Sequence, residues 1–181
     1  MSENPWKKHS TESVYENDWI RVDKSKVTMP NNEPGDYTVV HFKSLAVGCV
    51  PVDNQGNIYL VGQWRFPFDK YYWELPMGGA SFDKDPVAEC KRELKEETGI
   101  VASEWKELLR METSNSVTDE TAIMYMCLGL EFGPPEPEPC EKLQVRRVTF
   151  DQALKMVMDG EITDGLSIAA IMKLAILTKT Y

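Results

Sequence analysis

Short runs in which hydrophobic and polar residues alternate occupy the first part of the chain. Residues 13–22 (SVYENDWIRV) and 37–42 (YTVVHF) are rich in β-branched and aromatic residues, and the turn-forming run MPNNEPGD lies between them. The runs LAVGCVPVD and IYLVGQWRF come next, joined by DNQGN. This arrangement predicts two strands followed by a β-hairpin.

The pattern becomes helical after residue 84. Asp85 is suited to cap a helix N-terminus, Pro86 to its first position, and Gly99 to its end. Strands mixed with separate helices predict an α+β or α/β sandwich. The later predicted elements are strands at 121–130 and 143–150, with a loop rich in Pro and Glu between them, and helices at 151–158 and 167–177.

The composition narrows the classes of protein to which this chain can belong. Its 181 residues suffice for one well-packed domain with a small appendage, and its net charge of -9 disfavours nucleic acid as a partner. The most apolar segment, residues 166–177, is too short to span a bilayer, and the polar N-terminus lacks the apolar core of a signal peptide. The scattered cysteines argue against a zinc site or a disulfide framework. We therefore expect a cytoplasmic protein that binds neither nucleic acid nor a membrane.

Residues 78–100, GGASFDKDPVAECKRELKEETGI, place several carboxylates on one short helix. Glu93, Glu96 and Glu97 share a face, with Glu89 one turn earlier. Like charges at this spacing repel each other, at a cost of roughly a few tenths of a kcal/mol per pair. The spacing alone leaves two interpretations open. One is a solvated acidic face, and the other is a site where a divalent cation turns the repulsion into ligation.

The same segment resembles the Nudix box, G-x5-E-x7-R-E-U-x-E-E-x-G-U, in which U is aliphatic. The matching positions are Gly78, Arg92, Glu93, Leu94, Glu96, Glu97, Gly99 and Ile100. Outside the box, the N-terminal strands, QWRFPFDKYYWELPMGG and GEITDGLSIAAIMKL are similar to the ADP-ribose and nucleoside-diphosphate-sugar hydrolase branch of that family.

The resemblance implies a fold and a domain organisation. The implied fold is α+β, an α/β/α sandwich in which a mixed β-sheet lies between helices, preceded by an antiparallel β subdomain. We expect this subdomain at residues 1–44 and the Nudix domain at residues 45–181. In this branch the N-terminal strands commonly exchange across a homodimer, so we also expect a homodimer.

One box position departs from the family pattern. Lys84 stands where the box has a Glu that usually pairs with the arginine matching Arg92. Lysine has no acceptor for such a bond, and Asp83 and Asp85 are the neighbours expected to take over the pairing. We predict a structural rather than a catalytic consequence.

The resemblance also implies the ligands of a metal site. Glu93 and Glu97 would be the main ligands, with Glu96 binding directly or through water. The backbone carbonyl of Met77 would be a further ligand. The implied metal is Mg²⁺, with Mn²⁺ as the alternative.

The reaction implied for the family is attack of water on a phosphorus atom of a pyrophosphate, which requires a base. Glu141, in the loop before the strand LQVRRVTF, matches the position of the base in the ADP-ribose branch. Its neighbour Glu138 and the box residue Glu96 are the alternatives. An exposed loop position without a catalytic role is the other interpretation of Glu141.

Substrate contacts are implied for three further residues. Arg65 matches an arginine that binds substrate phosphate, and its planar fork suits that task. Glu74 would contact the nucleoside or the sugar, and Glu120 would face the substrate or a metal. Local ion pairs and exposed loop positions are the alternatives for these residues.

Aromatic residues offer a second kind of contact. Trp19, Tyr37 and Trp64 could stack on a base, but aromatic residues at strand spacing more often belong to the core. His41 has no pattern of partners in the sequence, so we expect a structural role for it.

The substrate implied by these features is a nucleoside diphosphate sugar. Asn115 stands near the place where the ADP-ribose branch carries a proline, so we expect a broader specificity that includes ADP-ribose and GDP-mannose. The products would be a nucleoside monophosphate and a sugar phosphate. Three alternatives are a Nudix enzyme acting on dinucleotide polyphosphates or nucleoside triphosphates, a nucleotide-sugar sensor without catalysis, and an acidic scaffold for basic proteins.

Overall fold

The computed structural model describes residues 3–137, 139 and 141–179. Its strands are β1 (Lys7–Glu16), β2 (Ile20–Thr28), β3 (Pro34–Phe42), β4 (Ser44–Pro51), β5 (Asn57–Arg65), β6 (Lys70–Glu74), β7 (Met77–Ser81), β8 (Ile100–Glu112), β9 (Thr121–Phe132) and β10 (Gln144–Thr149). Its helices are α1 (Pro86–Thr98), α2 (Phe150–Met158) and α3 (Gly165–Lys179). The chain forms two compact units: the segment up to Ser44 with Glu112–Glu120, and Leu45–Met111 with the chain from Thr121 onward.

The N-terminal unit contains an antiparallel sheet in the order β1-β2-β3. The continuous strand predicted over residues 13–22 is wrong, because the chain turns between β1 and β2. The Asn17 side chain accepts hydrogen bonds from the backbone N–H groups of Trp19 (2.9 Å) and Ile20 (2.8 Å). An Asn that bonds the backbone two or three residues later closes a local turn, which ends the strand.

The second unit contains two sheets. One has the order β7-β4-β9-β8, with β4 parallel to β9, and the other is the antiparallel sheet β10-β5-β6. The hairpin predicted from β4 to β5 is therefore wrong: these strands belong to different sheets and meet at an isolated bridge between Val52 and Ile58. Pro51, which has no N–H for a strand ladder, ends β4, and the N–H of Val52 bonds the carbonyl of Cys127 (2.9 Å).

The sheet containing β4 separates two hydrophobic clusters. Successive residues of a strand point to opposite faces, so Cys49 belongs to one cluster and Val50 to the other. Helix α1 packs into the first cluster through Leu94, and α2 and α3 pack into the second through Met156 and Ile171. Helices on both faces of a mixed sheet, together with the antiparallel N-terminal sheet, confirm the predicted α+β fold.

The helices lie close to their predicted positions, but strands β6, β7 and β8 escaped prediction. Thr149 and Gln152 form a capping box that starts α2, and the Asp164 side chain accepts the N–H of Ser167 (2.7 Å) at the start of α3. Strand β8 was missed because its alternation of buried and exposed residues stops after Ala102 and its residues are common in helices. No helix in the described chain is long and apolar enough to cross a membrane.

Candidate active site

Helix α1 carries most of the predicted site residues, and both of its ends form as predicted. The Asp85 side chain accepts the N–H of Val87 (3.2 Å), and Pro86 occupies the first helical position. Gly99 ends the helix in the left-handed conformation (φ 71°), with its N–H bonded to the Lys95 carbonyl (2.8 Å). These ends fix which residues of the box share the helix face.

The acidic face of α1 packs against the glycine-containing strand β7. Leu94 is fully buried in the core, and Glu93 and Glu97 face β7 instead. Gly78 comes so close to the Glu93 carboxylate that a Cβ atom at this position would overlap with it. Glu97 is 4% exposed and accepts a hydrogen bond from the N–H of Met77 (3.0 Å). Two box carboxylates therefore lie together beside the backbone of β7.

Burial and mutual repulsion oppose ionisation of these carboxyl groups. Burial raises the pKa of Glu97 to about 8, and the negative charges of Glu93 and Glu141 add to this shift. Burial also raises the pKa of Glu93, although Arg92 opposes the shift. A cation would relieve the repulsion between these groups, but near neutral pH it would have to displace the proton that Glu97 holds.

Arg92 connects the ion pairs of the helix. Its Nη2 atom lies 2.6 Å from Oε1 of Glu93 and 3.2 Å from Oε2 of Glu89, and its Nη1 atom pairs with Glu96. The other oxygen of Glu89 lies 3.2 Å from Nζ of Lys84. Alternating charges thus run from Lys84 through Glu89 and Arg92 to two glutamates of the box.

The expected replacement partner for Arg92 is therefore wrong. We expected Asp83 or Asp85 to take this role, but Asp85 caps the helix and Glu89 contacts the arginine. Glu89 comes from within the helix, and its side chain is only 12% exposed. The spacing of three residues between Glu89 and Arg92 was the available signal, because such residues are neighbours on a helix.

The residue types at this site fit a hard divalent cation. Carboxylate oxygens are the ligands that Mg²⁺ prefers, and Glu93 and Glu97 lie on one face of the helix. Among the described residues, no three His, Cys, Asp or Glu side chains form a ready metal-binding group. Arg92 contacts both Glu93 and Glu96, so a cation would have to exchange with this arginine. Ligation by these glutamates and by the Met77 carbonyl stays a prediction.

Glu141, between β9 and β10, acts electrostatically on the box carboxylates. Its negative charge contributes to the raised pKa of both Glu93 and Glu97, so its carboxylate lies near them. Its role as the base stays a prediction, as does the alternative role of Glu96. The third candidate, Glu138, lies outside the described residues.

Arg65 and Glu74 form a forked ion pair across the β5–β6 hairpin. Nε of Arg65 donates to Oε1 of Glu74 (2.9 Å) and Nη2 donates to Oε2 (2.5 Å). Glu74 is 2% exposed, whereas the Arg65 side chain is 39% exposed. The pair therefore presents its guanidinium, rather than its carboxylate, to the surroundings. Phosphate binding by Arg65 and substrate contact by Glu74 stay predictions.

Two predicted residues of the N-terminal unit have partners that the sequence did not reveal. Glu120 accepts a hydrogen bond from the Thr113 hydroxyl (2.6 Å), and its contact with substrate or metal stays a prediction. Nδ1 of His41 lies 2.6 Å from an oxygen of Asp119, and Nε2 lies 3.4 Å from an oxygen of Asp23. These contacts connect β3 to β2 and to the segment Glu112–Glu120, which supports the structural role expected for His41.

The aromatic residues divide into two groups. Trp19 and Trp64 are 72% and 61% exposed, so the interpretation of these two residues as core positions is wrong. Tyr37 is half-buried, packs edge-on against Trp6 with 5.2 Å between ring centroids, and donates its hydroxyl to the Ser116 carbonyl (2.6 Å). Base stacking by these residues stays a prediction.

Comparison with known families agrees with the geometry of the box. The model of the NUDIX domain matches residues 43–165. The chain belongs to the Nudix family. The model of the nucleoside diphosphate sugar hydrolase N-terminal domain matches residues 6–40. The protein is thus a Nudix hydrolase, an enzyme of a family that cleaves pyrophosphate bonds and generally uses divalent metal cations.

Relatives of this Nudix hydrolase match along most of its length. It is 30% identical to the ADP-ribose pyrophosphatase of Mycobacterium tuberculosis (strain ATCC 25618 / H37Rv), over 100% of this chain and 88% of that protein. It is 27% identical to the methanol dehydrogenase activator of Bacillus methanolicus, over 89% of this chain and 88% of that protein. A crystal structure of an ADP compounds hydrolase has the same fold, with a TM-score of 0.88, 17% identity, and coverage of 99% of this chain and 97% of that one.

Proposed function

We propose that this Nudix hydrolase cleaves the pyrophosphate bond of nucleoside diphosphate sugars in the presence of Mg²⁺. The products are a nucleoside monophosphate and a sugar phosphate, and ADP-ribose and GDP-mannose are among the substrates to be tested. The observation that carries the proposal is that one chain combines the complete carboxylate set of α1 with a match to the N-terminal domain of nucleoside diphosphate sugar hydrolases. The ADP-ribose pyrophosphatase of Mycobacterium tuberculosis, a full-length relative, supports the same substrate class.

The proposed metal ligands come from α1 and β7. Glu93 and Glu97 hold the cation, Glu96 binds it directly or through water, and the Met77 carbonyl is a further ligand. When bound, Mg²⁺ supplies neutralisation of the phosphate charge and acidification of a coordinated water. The partly exposed guanidinium of Arg65 donates two hydrogen bonds to the diphosphate.

The remaining residues move a proton and orient the substrate. In the proposed reaction Glu141 accepts a proton from water as the water oxygen bonds to one phosphorus atom. The bond between that phosphorus and the bridging oxygen breaks, and the other phosphate leaves with the bridging oxygen. Glu96 is the alternative base. Glu74 holds Arg65 in place, and Glu120 contacts the substrate.

A substrate panel tests the reaction. ADP-ribose, ADP-glucose, GDP-mannose, UDP-glucose, a nucleoside triphosphate and a dinucleotide polyphosphate are each incubated with Mg²⁺, Mn²⁺ or a chelator. We expect cleavage of several sugar nucleotides that stops with the chelator. Preferred cleavage of the dinucleotide polyphosphate or the triphosphate contradicts the proposed substrate class, and binding without turnover contradicts the proposed reaction.

Glu97→Gln tests the metal site, with Glu104→Gln as the matched control on an exposed position of β8. We expect Glu97→Gln to lower kcat by about 100-fold or more, because a metal ligand and its charge are lost. The control should retain the wild-type rate. Equal rates for both variants would remove Glu97 from the metal site.

Glu141→Gln tests the base. Loss of a general base lowers kcat by roughly 10²- to 10⁴-fold, and the apparent affinity for Mg²⁺ should change little. Near-full activity of this variant would transfer the role to Glu96 or Glu138.

We also propose that the enzyme works as a homodimer in the cytoplasm. The cysteines of the described chain, Cys49, Cys90 and Cys127, are free and buried, which suits a reducing compartment.

A further inference from the structure

A cleft of about 440 Å³ lies beside the Arg65–Glu74 ion pair. We name it the hairpin cleft, because the β5–β6 hairpin forms one of its walls and the start of α3 forms the other. The residues that matter for its chemistry are Arg65, Phe68, Tyr72, Glu74, Thr163 and Asp164. All of them belong to the second compact unit.

The hairpin cleft lies close to the carboxylates of the Nudix box. Glu74 lines the cleft, and Met77, three residues later, bonds Glu97. Three residues of extended chain span at most about 10 Å, which is the length scale of a diphosphate with its attached group. Hydrogen bonds to Glu74 raise the pKa of Arg65 against the opposing effect of burial, and the charges of Asp164 and Glu97 raise it further. Arg65 therefore lines the cleft and also feels the charge of Glu97 in the box.

The two walls of the hairpin cleft differ in polarity. On the α3 wall, one oxygen of Asp164 accepts the N–H of Ser167 (2.7 Å), and Thr163 also lines the cleft. A carboxylate accepts hydrogen bonds and donates none, so this wall suits hydroxyl groups and repels phosphate. The Arg65 charge is already balanced by Glu74. An uncharged donor group is therefore favoured next to Asp164.

The hairpin wall is aromatic. Phe68 is 72% exposed, and its ring meets that of Tyr72 with 5.8 Å between centroids and an interplanar angle of 53°. Two rings at this angle form an apolar corner rather than a parallel slot for a flat base. A puckered sugar ring has apolar C–H faces that fit such a corner, while its hydroxyl groups point outward. Because Asp164 already uses one oxygen to cap α3, it is suited to single hydroxyl contacts rather than to a two-point contact with a purine.

We propose that the hairpin cleft binds the sugar of the nucleoside diphosphate sugar, with Phe68 and Tyr72 packed on the sugar ring and Asp164 accepting hydrogen bonds from its hydroxyl groups. This inference rests on the proposed function for the substrate class. It assigns specificity for the sugar to residues of the hairpin tip and of the start of α3, outside the Nudix box.

Two substrates that differ only in the sugar provide the test. ADP-glucose contains the sugar, and the β-methyl ester of ADP carries a methyl group in its place. Asp164→Asn keeps the cap of α3, because Asn caps helices about as well as Asp, but it removes the charge from the cleft. We expect this variant to lower kcat/KM for ADP-glucose by about 10- to 100-fold, as for a lost hydrogen bond to a charged group. For the methyl ester we expect a change below about threefold, because no sugar contact is lost.

Phe68→Ala tests the aromatic wall, and Phe66→Ala is its matched control. Both phenylalanines belong to the 3₁₀ turn Phe66–Phe68, and Phe66 is 94% exposed but does not line the hairpin cleft. We expect Phe68→Ala to raise KM for ADP-glucose more than KM for the methyl ester. Phe66→Ala should leave the ratio of the two KM values unchanged. Thermal unfolding of all variants verifies that they remain folded.

Binding of products distinguishes the subsite from the reaction. Ligand-observed NMR measures the binding of glucose 1-phosphate and of AMP to the wild type and to Asp164→Asn, with Mg²⁺ present. We expect the variant to lose glucose 1-phosphate binding and to keep AMP binding. This result without turnover of any sugar nucleotide would refute the proposed function and retain the sugar subsite. Selective loss of AMP, no binding of glucose 1-phosphate to the wild type, or equal effects on both substrates would overturn the sugar subsite.

Discussion

Lys84 shows how a single residue alters the network around the Nudix box. In this chain Lys84 contacts Glu89, and Glu89 contacts Arg92. The acidic partner of the arginine has therefore moved from the loop into the helix. Because Lys84 remains 54% exposed, its pair with Glu89 contributes little free energy of unfolding, within about 1 kcal/mol.

We predict that Lys84→Glu lowers stability slightly, because it places a second negative charge beside Glu89. We expect it to change kcat by less than about threefold. In the Glu89→Gln background the same substitution should raise the free energy of unfolding, because it supplies Arg92 with an acidic partner in place of Glu89. Thermal unfolding and steady-state kinetics of the four proteins measure both effects. A rise in turnover by orders of magnitude without a change in stability would contradict the structural role of Lys84.

Glu97 provides a prediction about pH. Its pKa is raised to about 8 in the folded protein from an ordinary value of 4.5. Between these values the folded metal-free protein binds a proton that the unfolded chain has released, so this group reduces stability as the pH rises from about 5 to 8. Relative to Glu97→Gln, the metal-free wild type should lose unfolding free energy over that range.

Cation binding should displace the same proton. We expect Mg²⁺ binding near pH 7 to release up to about one proton and to strengthen until the pH passes about 8. Calorimetry in two buffers of different ionisation enthalpy measures the release, and Glu97→Gln should abolish most of it. Cation binding that releases no proton at pH 7 would contradict the raised pKa.

The box glutamates were predictable at the residue scale, whereas the partners of His41 were not. The helix period places Glu93 and Glu97 on one face, and the turn chemistry of Asp85 and Gly99 sets the helix ends. One partner of His41 is Asp119, which lies 78 residues away in the chain. A contact between residues so distant depends on the strand arrangement, which no local pattern reports.

At the scale of elements, α1 must begin at a fixed residue for its carboxylates to face β7. Asp85→Ala removes the side-chain acceptor at the helix start and should cost about 0.5–2 kcal/mol of unfolding free energy. For a domain of this size the melting temperature should fall by about 2–4 °C for each kcal/mol. Asp85→Ser should restore most of the stability, and Asp83→Ala is the matched control in the same turn. Equal melting temperatures for Asp85→Ala and the wild type would show that the cap is dispensable.

The errors at the element scale have a common cause. The segment between β4 and β5 has the local pattern of a hairpin, but the strands join different sheets because each finds a longer ladder elsewhere. Strand β5 pairs with β10 and β6, and β4 pairs with β9. Local turn signals report that the chain reverses, but they do not report which neighbour each strand takes.

At the scale of the molecule, strand β1 is the feature that predicts a partner. All ten of its residues are exposed, including Val14 and Tyr15, which are 53% and 54% exposed. An exposed edge strand with unpaired backbone groups favours pairing with another chain. A second copy of this chain is the partner that the resemblance implies.

We predict that light scattering gives twice the mass of the chain. Val14→Lys should shift the protein toward the monomer at low concentration, because it places a charge on an apolar position of β1. Ser13→Lys is the matched control on the neighbouring residue, and it should leave the mass unchanged if Val14 is the contact. A monomer at all concentrations would contradict the homodimer.

The sequence by itself determined the family, the layered α+β fold, the bounds of α1, and the residue types of the proposed metal site. These properties depend on local period, on capping residues and on the spacing of the box, all of which act within a few turns of helix or one strand. Tertiary structure alone decided that Glu89 pairs with Arg92, that Glu74 is buried beneath Arg65, and that Asp164 faces the hairpin cleft. The burial of a residue and the pairing of strands depend on which distant segments of the chain come into contact. The energy of a buried charge or of a buried ion pair depends on the same contacts.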